Sequence, residues 1–321
     1  MTDASCLRVD SMSRRNVLIN AAKVGLATGS LAPISYAIVS NASAQESSPE
    51  PDVFPPDELP ILELEIEANG TIHSNAEAQT GTIAEGVSHM SGRAQAGTTV
   101  IRCTSQLEGP ATVFFMYRPT ESMNDVTFRQ TMLAPGPRWW MYDQPLTGTF
   151  EFDPERTPST QEMVVDVAPG LWRIIVMGTL QTFTTMEFVG DAAIMEVPAD
   201  VSVQATEAGF EVPSEIPAGR HVWQFSNHDG TLHEFAIFSM PETNSVVNNA
   251  FLRSESERTS AAESQSTTEH AVGIPFISNG QTVYREIDLA PGTYLGLCTL
   301  PDAGSSTPHY LEGTIALFTV V

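Results

Sequence analysis

One segment of this chain is written twice. Asp166–Val176 reads DVAPGLWRIIV, and 122 residues later Asp288–Cys298 reads DLAPGTYLGLC. The same offset lays QAGTTVIRCTS, Gln95–Ser105, over PAGRHVWQFSN, Pro217–Asn227. With a slip of one residue, GDAAIMEV, Gly190–Val197, falls on GTIALFTV, Gly313–Val320. Three blocks in the same order at almost one spacing predict a duplicated structural unit. Between the blocks the chain from Ile61 onward consists of short apolar runs separated by Gly, Pro, Asn and Asp, with few long helical periodicities, the pattern of an all-β protein. At 321 residues there is room for two domains. The expectation is two tandem β-sandwiches, residues 61–198 and 199–321.

The two copies differ in chemistry. In the second, an apolar run ends in Cys298, a polar loop leads to His309, and another apolar run, ending at Val321, follows: strand, loop, strand. Asn227 and His233 sit between two further apolar runs. A thiolate and two imidazoles within reach of one point suit copper or zinc. At the offset of 122, Asn227 faces Ser105, His233 faces Ala111, Cys298 faces Val176 and His309 faces Glu187. A buried free cysteine is often just a small hydrophobe, and a lone histidine is usually structural. Packing roles would not, however, explain why all three vanish together while Pro-Gly and the aromatic after it stay.

The order Asn, five residues, His, then Pro-Gly-x-Tyr on a strand leading to Cys, then His, then Gly, resembles the cupredoxins, the small blue-copper β-sandwiches with Greek-key strand order. The likeness covers about the last 120 residues. It implies that His233, Cys298 and His309 are the equatorial ligands of one copper per chain, and that Asn227 pins the ligand loop by hydrogen bonding. The axial position departs from the common pattern of His, four residues, Met: the fifth residue after His309 is Thr314.

The first 44 residues read as a twin-arginine export signal, with Arg14-Arg15 ahead of a weakly apolar stretch and Ala42-Ser43-Ala44 as a small-residue cleavage site. The alternative is an uncleaved signal that anchors the chain to a membrane, although the stretch is weak for a bilayer span. Residues 45–60, rich in proline and acid, read as a linker. Export places the protein in the periplasm, at the cell surface or outside the cell. The whole chain has 15 basic and 39 acidic residues; four bases and two acids lie in the first 44, leaving 11 against 37 and no lysine. Such a surface repels nucleic acid and anionic membranes. Carboxylate abundance with lysine lost is similar to proteins of salt-adapted organisms, in which concentrated salt screens the self-repulsion.

Past the signal only Cys103 and Cys298 remain, too few for a disulfide-stapled scaffold, and a bond between them would have to meet strict geometry inside two apolar strands. Val246, Val247, Ala250 and Phe251 read as one face of a short helix in the second copy's insertion. Trp139-Trp140, in the first copy's insertion, read as core and interface packing ahead of an exposed docking patch. His73, His89, His221, His228 and His270 lack a partner pattern, and His228 is expected in solvent.

Two-domain cupredoxin chains include enzymes. Multicopper oxidases hold a trinuclear cluster with His-x-His pairs, and copper nitrite reductases place a His directly before the Cys. This chain has no His-x-His, and Leu297 precedes Cys298. The expectation is therefore an exported, non-enzymatic copper protein that passes single electrons to an unidentified redox partner. The alternatives are copper sequestration or delivery, and a non-redox binding module whose metal site is empty.

Overall fold

The computed structural model describes residues 54–55, 58–76, 90–118, 128, 130, 145–155, 157, 159–178, 181–240, 269–305 and 307–321. The export signal, most of the linker, the Trp139-Trp140 pair, the expected helix around Val246–Phe251, and His89 lie outside the described residues. Everything described belongs to one compact unit, Ala37–Val321.

The first repeat supplies β1 (Ile61–Ile66), β2 (Ile72–Ser74), β3 (Met90–Ser105), β4 (Ala111–Arg118), β5 (Leu146–Phe152), β6 (Thr160–Val167), β7 (Gly170–Gly178) and β8 (Gln181–Ala193). The second supplies β9 (Val201–Thr206), β10 (Gly209–Glu211), β11 (Glu215–Ile216), β12 (Gly219–Asn227), β13 (His233–Met240), β14 (Glu269–Ile277), β15 (Thr282–Leu289), β16 (Gly292–Leu297) and β17 (Ile315–Val320). A short helix, α1 (His309–Glu312), lies between β16 and β17. The fold is an all-β sandwich. Consecutive strands change sheets, β12 to β13 and β15 to β16, so the ends of strands from both sheets meet at one edge of the second repeat.

The duplication is visible in hydrogen-bond register. Gly97 pairs with Val167 across β3–β6, and Gly219 with Leu289 across β12–β15, both 122 residues on. Phe114 pairs with Ile175 across β4–β7, and Ala236 with Leu297 across β13–β16, again 122 on. The repeated Ala-Pro-Gly ends a strand at the same register in both repeats. Proline has no N–H to continue a ladder, so each strand stops there. Gly170 then takes φ +134°, a value that strains any residue with a Cβ. The next aromatic locks the corner from within: Trp172 Nε1 donates to the Ala168 carbonyl at 2.9 Å, and Tyr294 Oη to that of Ala290 at 2.8 Å.

The third repeated block does not survive. Register places Phe188 opposite Gly170 and Val320 opposite Gly292, so β17 corresponds to 183–188, not to 192–197. Glu187 is accordingly the counterpart of Thr319, and its carboxylate takes the Arg93 guanidinium at 2.6 Å. His309 has no counterpart. In the first repeat Ile175 pairs with Phe183, eight positions on; in the second Leu297 pairs with Ile315, eighteen positions on. The apparent block matched because apolar strand ends look alike, while hairpin length leaves no trace in an apolar pattern.

Each repeat buries a layer of aromatics. In the first, Phe115 stacks on Trp172 at 4.9 Å and meets Phe188 edge-on. In the second, Phe318 on β17 reaches across to Trp223 on β12 at 5.9 Å. Gly296 is needed there, because a Cβ on it would stand 2.2 Å from the Phe235 ring. The first repeat solves the same packing with Val113 and Ile174. Each fully buried ring of this kind contributes roughly 1.5–3 kcal/mol of transfer free energy. The repeats are joined through β6 and β15, where Val165 pairs with Val283 and Val164 with Tyr284, which makes a single sheet of 12 strands.

Candidate metal centre

His233 opens β13, Cys298 directly follows β16, and His309 opens α1. All three are buried, at 1%, 0% and 3% exposure. Their ligand atoms lie within 4.8 Å of one another. His309 Nδ1 is 3.3 Å from His233 Nδ1 and 3.4 Å from Cys298 Sγ. Both imidazoles thus turn the same nitrogen, Nδ1, inward.

The opposite nitrogens are held from behind. His233 Nε2 donates to Asp229 Oδ2 at 2.8 Å, and His309 Nε2 to Asp302 Oδ1 at 3.2 Å. A carboxylate only accepts, so these bonds place the ring proton on Nε2 and leave the Nδ1 lone pairs facing each other. Two lone pairs and a sulfur then converge with one thiol proton among them, an arrangement that a cation relieves. Burial keeps His233 neutral: its pKa is lowered chiefly by desolvation, with the Asp229 hydrogen bond opposing and His309 reinforcing the shift. Burial, and then the Glu234 carboxylate, push the Cys298 thiol far above its usual range. Ionising it takes a metal that displaces the proton.

The backbone around the site is closed. His309 N–H donates to the Leu300 carbonyl at 2.8 Å, Tyr310 N–H to Cys298 at 3.0 Å, and Cys298 N–H to Thr314 at 3.2 Å. Asn227 is fully buried; its Nδ2 donates to the carbonyls of Thr231 and Ile277, both at 2.8 Å, and its Oδ1 accepts the Asp229 N–H at 2.9 Å. It therefore fixes the loop that carries Asp229 to His233. Phe210 caps the cluster with its ring 6.0 Å from that of His233.

Sequence reasoning missed Asp229, Asp302 and Glu234. Glu234 is 7% exposed and sits at an irregularity in the β13–β14 ladder, between His233 and Phe235. A bulged residue is re-aimed, and this carboxylate accepts both the N–H and the hydroxyl of Thr299, the residue after Cys298. Burial raises its pKa to about 7. Only the closeness of Asp229 to His233 in sequence was available as a signal. Among the other histidines, His228 is exposed, His73 bonds Glu67 at the surface, and His221 lies 3.7 Å from Asp200. Cys103 and Cys298 are both buried free thiols.

Among the described residues, no helix is long and apolar enough to cross a membrane. No family model and no curated protein sequence matches the chain. Solved structures with a similar arrangement include auracyanin from the photosynthetic bacterium Roseiflexus castenholzii, 19% identical over 37% of this chain and 94% of that one, TM-score 0.26. Reduced rusticyanin is 22% identical over 38% of this chain and 77% of its own, TM-score 0.25. The multicopper oxidase McoA from Aquifex aeolicus is 11% identical over 82% of this chain and 66% of its own, TM-score 0.24. At these TM-scores the likeness carries no weight for function.

Proposed function

We propose that the second repeat binds one copper ion through His233 Nδ1, Cys298 Sγ and His309 Nδ1, and that the protein transfers single electrons outside the cytoplasm. The observation that supports this reading is the convergence of two imidazole nitrogens and a thiol sulfur in a buried site, with both rings fixed from behind by carboxylates. Two histidines and a cysteine in a trigonal set are the donors of blue-copper electron-transfer sites. Carboxylate–histidine pairs behind a metal orient the rings and raise their basicity. Copper held there supplies a Cu(I)/Cu(II) couple.

This chain's own groups do the rest. Asp229 and Asp302 hold the tautomers, Asn227 and Glu234 fix the two ligand loops, and the buried surroundings exclude water and other ligands. A site constrained in this way reorganises little when the electron count changes, which favours transfer over catalysis. Thr314, the fifth residue after His309, would bring no thioether to a copper held there. The first repeat, with Ala111 and Val176 at the corresponding positions, binds no metal. The twin-arginine signal directs export, and the acidic surface favours a cationic redox partner.

The test is metal analysis and visible spectroscopy of the reconstituted protein. One copper per chain with an intense thiolate-to-Cu(II) band is expected; Cys298→Ser should remove the band and leave the β-sheet signal unchanged. A wild type that takes up no copper would refute the assignment.

A further inference from the structure

The first repeat has none of the ligands, yet its outer face lies against the segments that flank His233 and Cys298. Leu232, directly before His233, is 3% exposed and belongs to a cluster otherwise built from the first repeat: Phe114, Met116, Phe128, Leu146, Ile175 and Met177. Leu300, two residues after Cys298, packs against the same cluster, and its carbonyl holds the His309 N–H. The turn that pins Asn227 is fastened likewise. Ser278 N–H donates to the Leu146 carbonyl at 2.7 Å, Leu146 N–H to Ser278 Oγ at 2.9 Å, and Thr147 Oγ1 to Gln281 Oε1 at 2.9 Å. Gln281 in turn receives the Asn227 backbone N–H on its carbonyl at 3.0 Å.

Resting on the copper reading, we infer that the ligand-free repeat is the outer wall of the metal centre, and that Leu232 and Leu300 are the positioning residues through which it fixes the spacing of the ligands. Packed interiors resist change by even one methylene. A leucine wedged into a neighbouring repeat therefore restrains the ligand beside it in sequence. Without that wall, two leucines and Phe276, whose ring lies 6.0 Å from that of Phe114, would face solvent beside the ligand strands. The loop from Cys298 to His309 would be free to open.

The experiment is thiol labelling of the metal-free full-length protein, with the Cys298 peptide followed by mass spectrometry, for Leu232→Ala, Leu300→Ala and Leu64→Ala. Leu64, 2% exposed on β1, is a core control outside that cluster. Labelling of Cys298 should be about tenfold or more faster in the first two variants than in the control, and Leu300→Met should restore the slow rate. Copper release to a Cu(I) chelator should quicken in the same order. If Leu232→Ala and Leu300→Ala label no faster than Leu64→Ala, the inference is wrong. A wild type without copper would overturn the proposed function, and the labelling rates would still decide whether the first repeat guards the thiol.

Discussion

The two repeats share a skeleton and differ at its edge. Their β3–β6 and β12–β15 pairs, their β4–β7 and β13–β16 pairs and their aromatic corners coincide residue for residue. Where the second repeat has Asn227, His233 and Cys298, the first has Ser105, Ala111 and Val176. Ala111 and Val176 are buried there as ordinary core. Beside the ligands the difference is one of length: ten residues more between Leu297 and Ile315 than between Ile175 and Phe183. Those ten carry Asp302 and His309. The proposed metal centre is thus an addition to a skeleton that the first repeat forms without those residues.

That account is broken or confirmed most drastically by removing Leu300–His309. The shortened chain would close β16 onto β17 with the first repeat's spacing, leaving Cys298 and His233 without His309. All stoichiometric copper binding should disappear while the far-ultraviolet signal of the sheet remains. Loss of the sheet signal along with the copper would mean that the loop is part of the scaffold, and that the repeats are less alike than their registers indicate.

A smaller effect separates the two carboxylates, neither of which has a role in the first repeat. Asp229 is nearer its imidazole and only 21% exposed on its side chain, against 46% for Asp302. Screening by water weakens the more exposed pair. Asp229→Asn should cost about 10–100-fold in copper affinity, the range found for groups that orient ligands, and Asp302→Asn distinctly less. Competition titration with a chelator checks the order; equal losses would show that exposure does not set the contribution.

Glu234 sharpens the comparison in another quantity, because its counterpart Thr112 has no charge to bury. Its folded pKa, raised to about 7 by desolvation, exceeds the unfolded carboxylate value near 4.3. The folded protein therefore binds the proton more tightly, so this group's contribution is full below the unfolded pKa and is lost as pH rises through about 7. Metal-free Glu234→Gln should show a flatter fall in stability across that interval than wild type in denaturant unfolding. Parallel profiles would place the charge elsewhere.

Much of this was legible before any coordinates. The 122-residue repeat, the all-β class and the trio His233, Cys298 and His309 all follow from apolar patterning and residue chemistry, which are local properties of a sequence. What was not legible depends on lengths and on through-space neighbours. The counterpart of His309 was misplaced onto Glu187 because a constant offset cannot register a hairpin shortened by ten residues. Asp302 and Glu234 became visible only when the loop folded back over Cys298 and a ladder irregularity turned a carboxylate toward Thr299. The packing of Leu232 and Leu300 against the first repeat has no sequence signature, since any leucine looks like core.

The smallest expected effect concerns Thr314, and here the repeats agree instead of differing. Thr182 pairs with Val176 just as the Thr314 carbonyl receives the Cys298 N–H, so the ligand-free repeat carries the same residue at the same place. A residue shared with a repeat that holds no ligands is there for the sheet. Thr314 accordingly offers no support to Cu(II), and the potential should be comparatively high, since an axial donor is one of its determinants. Thr314→Met should lower it, because a thioether favours Cu(II). Space is limited: a Cβ on Gly209 would already lie 3.0 Å from the Gly313 carbonyl and 3.8 Å from Thr314 Cα. Overpacking a site this close is destabilising, so the shift should come with a lower unfolding midpoint. Voltammetry on the two proteins decides it. An unchanged potential with the methionine ordered at the metal would remove the axial donor as a determinant in this site, and an unchanged potential with the side chain turned toward solvent would show that Thr314 does not occupy the axial position.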